Sequence, residues 1–115
     1  MLAIPNFKPD ANILVDLIEN ILKVLPDSSK RIIAVGAIPH WFNNEYLIWM
    51  LPGNSKEMEE SVSSLRESIS FLTEHQFLRY TYHEDVRYAI LLNWTRLFPN
   101  YDFIKLTSKA KDYFN

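Results

Sequence analysis

Apolar residues recur through residues 10–25 at the spacing of one helical face. Ile13, Leu14, Leu17, Ile18, Ile21, Leu22 and Leu25 follow i, i+3, i+4, i+7, while Asp16, Glu19, Asn20 and Lys23 fall opposite. The pattern predicts a helix that opens at an Asp10 N-cap, stops before Pro26 and buries one broad face. Residues 1–9, which include Pro5 and Pro9, read as an extended leader, and residues 10–115 as a single domain.

Proline and asparagine mark the next joints. A second helix is expected from Asp27 or Ser28 to about Ile38, with Ile32, Ile33, Val35 and Ala37 apolar and Pro39 ending it. Gly36 inside it costs roughly 1 kcal/mol of helix propensity against Ala; a close helix crossing there would account for its presence. His40, Trp41 and Phe42 make a short aromatic connector, after which Asn43 caps a third helix through about Leu51. Asn54 with Glu57 three residues on resembles a capping box. It opens a helix predicted to reach about His75, with Met58, Val62, Leu65, Ile69 and Leu72 as an inward stripe.

Residues 77–82 are rich in aromatic and β-favouring side chains and read as a strand. From His83 the helical period returns, with Glu84 and Asp85 in the first turn, where the helix dipole favours them. Val86, Ala89, Ile90, Asn93, Trp94 and Leu97 share a face as far as Phe98-Pro99. A last helix over 102–114 turns Phe103, Leu106, Ala110, Tyr113 and Phe114 inward and Lys105, Lys109 and Lys111 mostly outward. The resulting class is mainly α. A winged-helix-like core of three helices (28–38, 43–51 and 56–75) carries one short strand or minimal wing. An N-terminal helix precedes this core and C-terminal helices follow it.

Composition narrows the functions. Nearly half of the 115 residues are hydrophobic and 14% are aromatic, enough apolar area for a true core. Without cysteine there is neither a disulfide nor a thiolate metal site. No basic-then-apolar leader and no apolar run of about 18 residues occurs, so a cytoplasmic chain with no membrane partner is expected. A net charge of −2 offers no general attraction to nucleic acid.

The candidate chemistry is correspondingly sparse. The two glycines, Gly36 and Gly53, cannot form a phosphate-wrapping loop, so this chain is no P-loop NTPase by itself. His40, His75 and His83 lie far apart and read as separate surface or capping residues rather than metal ligands. No catalytic signature is present, and Ser61, Ser63, Ser64, Ser68 and Ser70 read as the solvated side of a helix. Groove reading by the third core helix would be opposed by charge. Over 56–75 it sets Glu57, Glu59, Glu60, Glu67 and Glu74 against Lys56 and Arg66. The cluster Trp41, Phe42, Tyr46 and Trp49 reads first as core; exposure of Trp41 or Trp49 would mark a partner surface.

Tyr82-His83-Glu84-Asp85-Val86-Arg87, starting a helix directly after a strand, resembles the MHD motif of STAND-type signalling NTPases, the class that includes NOD-like receptors. Tyr82 stands where that motif has Met, and Asp85 replaces an apolar residue. Ala34-Val35-Gly36-Ala37-Ile38-Pro39 with Trp41-Phe42 resembles the start of the winged-helix domain in that family. Ser70-Phe71-Leu72 and Phe77-Leu78-Arg79-Tyr80 resemble its later helix and strand. Phe103-Ile104-Lys105-Leu106 through Tyr113-Phe114 resembles the helix leading into a repeat array.

The resemblance implies a non-catalytic module that couples a separate P-loop nucleotide-binding domain to a helical-repeat sensor of the same polypeptide. No cofactor would belong to this chain alone; ATP or ADP would belong to the intact protein, with His83 on an ADP phosphate and Arg87 holding nearby contacts. The alternative is a stand-alone protein-interaction or DNA-binding winged-helix domain.

Overall fold

Local hydrogen bonds set several boundaries. A computed structural model describes residues 11–75 and 79–114, so the leader, the Asp10 cap and positions 76–78 lie outside the described residues. The elements are α1 (Ala11–Val24), α2 (Asp27–Gly36), α3 (Asn44–Met50), α4 (Ser55–Ser68), β1 (Leu72–His75), β2 (Arg79–Tyr82), α5 (Glu84–Leu92), α6 (Trp94–Leu97) and α7 (Phe103–Phe114). The chain is therefore mainly helical with one small sheet. Asn43 Oδ1 accepts from the Tyr46 amide at 2.9 Å and Asn54 Oδ1 from the Glu57 amide at 2.9 Å, as expected of N-caps. Asp102 plays the same part for α7, accepting from the Lys105 amide.

Helices α2, α3 and α4 pack on one another, α1 lies on α5, and α7 covers α3. Ile32, Ile33, Phe42, Tyr46, Leu47, Leu65 and Ile90 are almost wholly withdrawn from water. Each such side chain contributes roughly 1.5–3 kcal/mol of transfer free energy. β1 and β2 pair antiparallel, Leu72 opposite Tyr82 and Glu74 opposite Tyr80. On the other edge of β2, Phe42 exchanges both backbone hydrogen bonds with Tyr80, at 2.9 and 2.7 Å. The connector between α2 and α3 thus adds a one-residue rung beside β2.

Five sequence expectations need correction. The helix expected to reach His75 ends at Ser68, and Ile69 takes extended backbone. Ser68 Oγ donates to the Ser64 carbonyl, a local alternative to continuing the helix. The following Leu72–His75 then pairs as a strand. Two strands therefore replace the one that was expected, and Phe77 and Leu78 of that segment lie outside the described residues.

The helix expected over 83–98 breaks at Asn93, whose Nδ2 donates back to the Ala89 carbonyl at 2.9 Å. α2 stops at Gly36 rather than Ile38. Finally, α1 does not bury its whole apolar arc. Val15, Ile18 and Leu22 are inside, with α1 lying on α5, but Ile13 and Leu17 are exposed.

Candidate functional site

The C-terminal half of α2 has more hydrogen bonds than a helix end makes alone. A helix leaves its last four carbonyls without intrahelical donors. Here Tyr46 Oη donates to the Val35 carbonyl at 2.6 Å, and Tyr82 Oη approaches the Ile33 and Ile32 carbonyls at 3.1 and 3.3 Å. Just past the helix, Arg87 Nη2 donates to the Ile38 carbonyl at 2.8 Å and Nε to the Pro39 carbonyl at 3.0 Å. Arg87 is buried, and its remaining nitrogen Nη1 lies 3.3 Å from Glu84 Oε1. A cation beside a helix C-terminus is also placed where the dipole favours it.

These donors come from α3, β2 and α5, so the end of α2 is the point at which three elements are tied together. Burial pushes the Tyr46 and Tyr82 hydroxyls up from their ordinary value, Tyr82 strongly, which keeps both as protonated donors. Gly36 lies inside this cluster. A Cβ there would come within 2.8 Å of both the Phe42 ring and the Tyr82 oxygen. The close approach that the glycine permits is therefore to two aromatic side chains, not to a crossing helix.

His83 occupies the N-cap position of α5. Its amide donates to the Phe71 carbonyl at 2.9 Å, and its carbonyl accepts from the Arg87 amide at 3.0 Å. The imidazole makes no capping hydrogen bond and is exposed. It thus stands one helical turn from the buried Arg87, at the outer end of the same helix. An exposed imidazole beside first-turn N–H groups is a donor set that suits a phosphate oxygen. The Glu84 and Asp85 carboxylates in that turn oppose it.

The remaining candidates, Trp41 and Trp49, lie elsewhere. The Trp41 ring is half-buried between the Arg79 guanidinium, 4.3 Å from its centroid, and the edge of Phe114 at 5.5 Å. Trp49 is 47% exposed, and its indole Nε1 donates to the Lys109 carbonyl of α7 at 3.1 Å. Both therefore border α7, which covers much of the aromatic cluster. Phe42 and Tyr46 of that cluster are fully buried core.

Sequence reasoning missed the carbonyl-binding role of Tyr46 and Tyr82. Nothing local marks either residue: Tyr46 stands between Glu45 and Leu47 and Tyr82 between Thr81 and His83, and their partner carbonyls are remote in sequence. Among the described residues, no three His, Asp or Glu side chains are grouped to hold a metal ion, and no helix is long and apolar enough to cross a membrane. Set against protein-family models, curated proteins and solved structures, the chain gives no significant match.

Proposed function

We propose that this domain is a non-catalytic winged-helix module that relays the nucleotide state of a P-loop domain to a repeat sensor within one signalling polypeptide. The observation that carries the reading is the position of His83: an exposed imidazole that makes no capping hydrogen bond at the N-terminus of the helix that follows the hairpin, on a helix anchored by buried Arg87. A ligand contact at His83 would then be passed through α5 to the end of α2.

The order of elements supports the winged-helix part. α2, the Phe42 rung, α3, α4, β1 and β2 follow one another as three helices, a minimal first strand and a two-stranded wing do in that fold, with the first strand beside the last. Exposed apolar side chains support the multidomain part. Leu92 is 82% exposed, Val24 and Ile104 81% each, and Ile13, Leu17 and Tyr88 are also open to solvent. Such surfaces suit burial against neighbouring domains.

The DNA-binding alternative is disfavoured by charge. Along α4, Glu57, Glu59, Glu60 and Glu67 outnumber Lys56 and Arg66, and all six are exposed. Arg66 is moreover paired with Glu74 at 2.6 Å.

An antibody raised against this domain tests the reading through the mass of the native polypeptide it detects. A band far above 13.6 kDa is expected, and His83→Ala in that intact protein is expected to weaken ADP binding by roughly tenfold, the worth of one charge-assisted contact. A native band at 13.6 kDa would leave a stand-alone interaction domain and overturn the relay.

A further inference from the structure

A cavity of about 200 Å³ opens where α2 meets the α3–α4 turn and the segment leading into α7. Arg31, Val35, Leu51, Pro52, Tyr101 and Leu106 line it. The surface they present to it is almost wholly carbon. A second hollow of about 120 Å³ shares Arg31, Leu51 and Pro52 and continues toward Ser28, Glu57 and Ser61. Arg31 therefore lines both an apolar recess and a neighbouring hollow of mixed character.

Its charge is not consumed locally. Lys30, Arg66, Arg87 and Arg96 each pair with a carboxylate, and Arg79 lies over Trp41. Arg31 is exposed and makes no ion pair with a carboxylate among the described residues. Arg31 lines this apolar recess, and a guanidinium that no carboxylate engages matches a carboxylate attached to an apolar body.

Size narrows the class further. A dry cavity of about 150 Å³ holds benzene, while sites for drug-sized ligands span about 300–1,000 Å³. A recess of about 200 Å³ thus fits a phenyl group or a short alkyl chain and little more. Glu57, which also lines the second hollow, repels an anion and leaves Arg31 as the carboxylate's partner.

We propose that this recess is a binding site for a small apolar carboxylate, with the carboxylate on Arg31 and the apolar group against Val35, Leu51 and Leu106. The site shares no residue with the His83–Arg87 helix and does not depend on the function proposed for it.

The test is a ¹⁵N-resolved NMR titration of the chain with 3-phenylpropionate, its neutral amide and the corresponding amine. Saturable shifts centred on Val35, Leu51 and Leu106 are expected with the carboxylate, and binding about tenfold weaker with the amide. Arg31→Gln, at an exposed position, should erase the difference between acid and amide. Leu106→Trp, which fills the recess, should abolish binding while the far-ultraviolet spectrum stays helical. Equal binding of acid and amide, preference for the amine, shifts centred elsewhere, or no saturation up to about 10 mM would each overturn the assignment.

Discussion

Gly36 and Tyr82 meet where a side chain would otherwise stand: a Cβ on Gly36 would lie 2.8 Å from the Tyr82 hydroxyl oxygen and equally close to Phe42 Cε1. By propensity alone, Gly36→Ala would stabilise α2 by about 1 kcal/mol. Sterics oppose it, because Phe42 is wholly buried and packs against Tyr46, Tyr80 and Tyr82. Overpacking of this kind costs about 1–3 kcal/mol. Gly36→Ala is therefore expected to lower the urea midpoint. Adding Tyr82→Phe should cost less in that background than in the wild type, since the methyl and the hydroxyl compete for one space. A stabilised Gly36→Ala variant would show that the aromatic cluster yields freely.

Arg87 ties α5 to the exit of α2 through the Ile38 and Pro39 carbonyls. Hydrogen bonds from a charged donor contribute about 1.5–3 kcal/mol, and these are largely shielded from water. Arg87→Ala should destabilise the fold by about 2–3 kcal/mol in urea unfolding. Arg87→Lys should recover less than half of that, because a single ammonium does not reproduce the fork that spans two carbonyls. Glu84→Ala should cost under about 1 kcal/mol, since Glu84 is exposed. If Arg87→Ala and Glu84→Ala cost the same, the carbonyl contacts are not what holds the helix.

These contacts also mark where sequence reading stops. The Asn43 and Asn54 caps were legible because a short polar side chain bonds an amide only three residues on. The end of α4 was not. Met58, Val62, Leu65, Ile69 and Leu72 keep a four-then-three spacing and all are buried, yet the backbone changes from helix to extended between Leu65 and Leu72. Spacing reports which side chains face the core, and helix and strand here face the same core. On α1, the apolar arc was read correctly as residue type, but how much of it is covered depends on α5, some seventy residues away. At the site, His83 at a helix start could be foreseen from the acids behind it. The Arg87–Glu84 pair, three residues apart, was legible too, but the carbonyl partners of Arg87, Tyr46 and Tyr82 were not, because a backbone carbonyl leaves no mark in sequence.

Burial of Tyr46 and Tyr82 predicts a particular alkaline response. Both hydroxyls titrate above their ordinary value of 10.0 in the folded chain because burial penalises the phenolate. The unfolded chain releases these protons near pH 10 while the folded chain keeps them. Stability is thus fully present below that pH and falls as pH rises above it, by about 1.4 kcal/mol per pH unit for each such tyrosine. Urea unfolding at pH 8, 10.5 and 11.5 should show this decline, and Tyr82→Phe should make it shallower despite a lower starting stability. A slope unchanged by Tyr82→Phe would mean that its hydroxyl ionises in the folded state.

Phe114 supplies the last clasp of the aromatic cluster. Its ring lies 5.5 Å from Trp41 in an edge-on arrangement and 5.4 Å from Tyr46, while neighbouring Tyr113 lies 5.5 Å from Tyr46 and 6.1 Å from Trp49. Phe114 is 42% exposed, so its area burial is partial and the ring pairs carry a large share of its effect. Such pairs contribute about 0.5–1.5 kcal/mol each beyond area. Phe114→Ala is expected to cost about 1–2 kcal/mol and to shift tryptophan emission to the red as the Trp41 ring gains water. A double-mutant cycle with Trp41→Leu should return a coupling of about 0.5–1 kcal/mol. Tyr46 remains held by its bond to the Val35 carbonyl in every variant, so the core beneath should keep its near-ultraviolet signature. Zero coupling, with unchanged emission, would mean that α7 does not clasp Trp41 in solution and that this tryptophan is open to a partner.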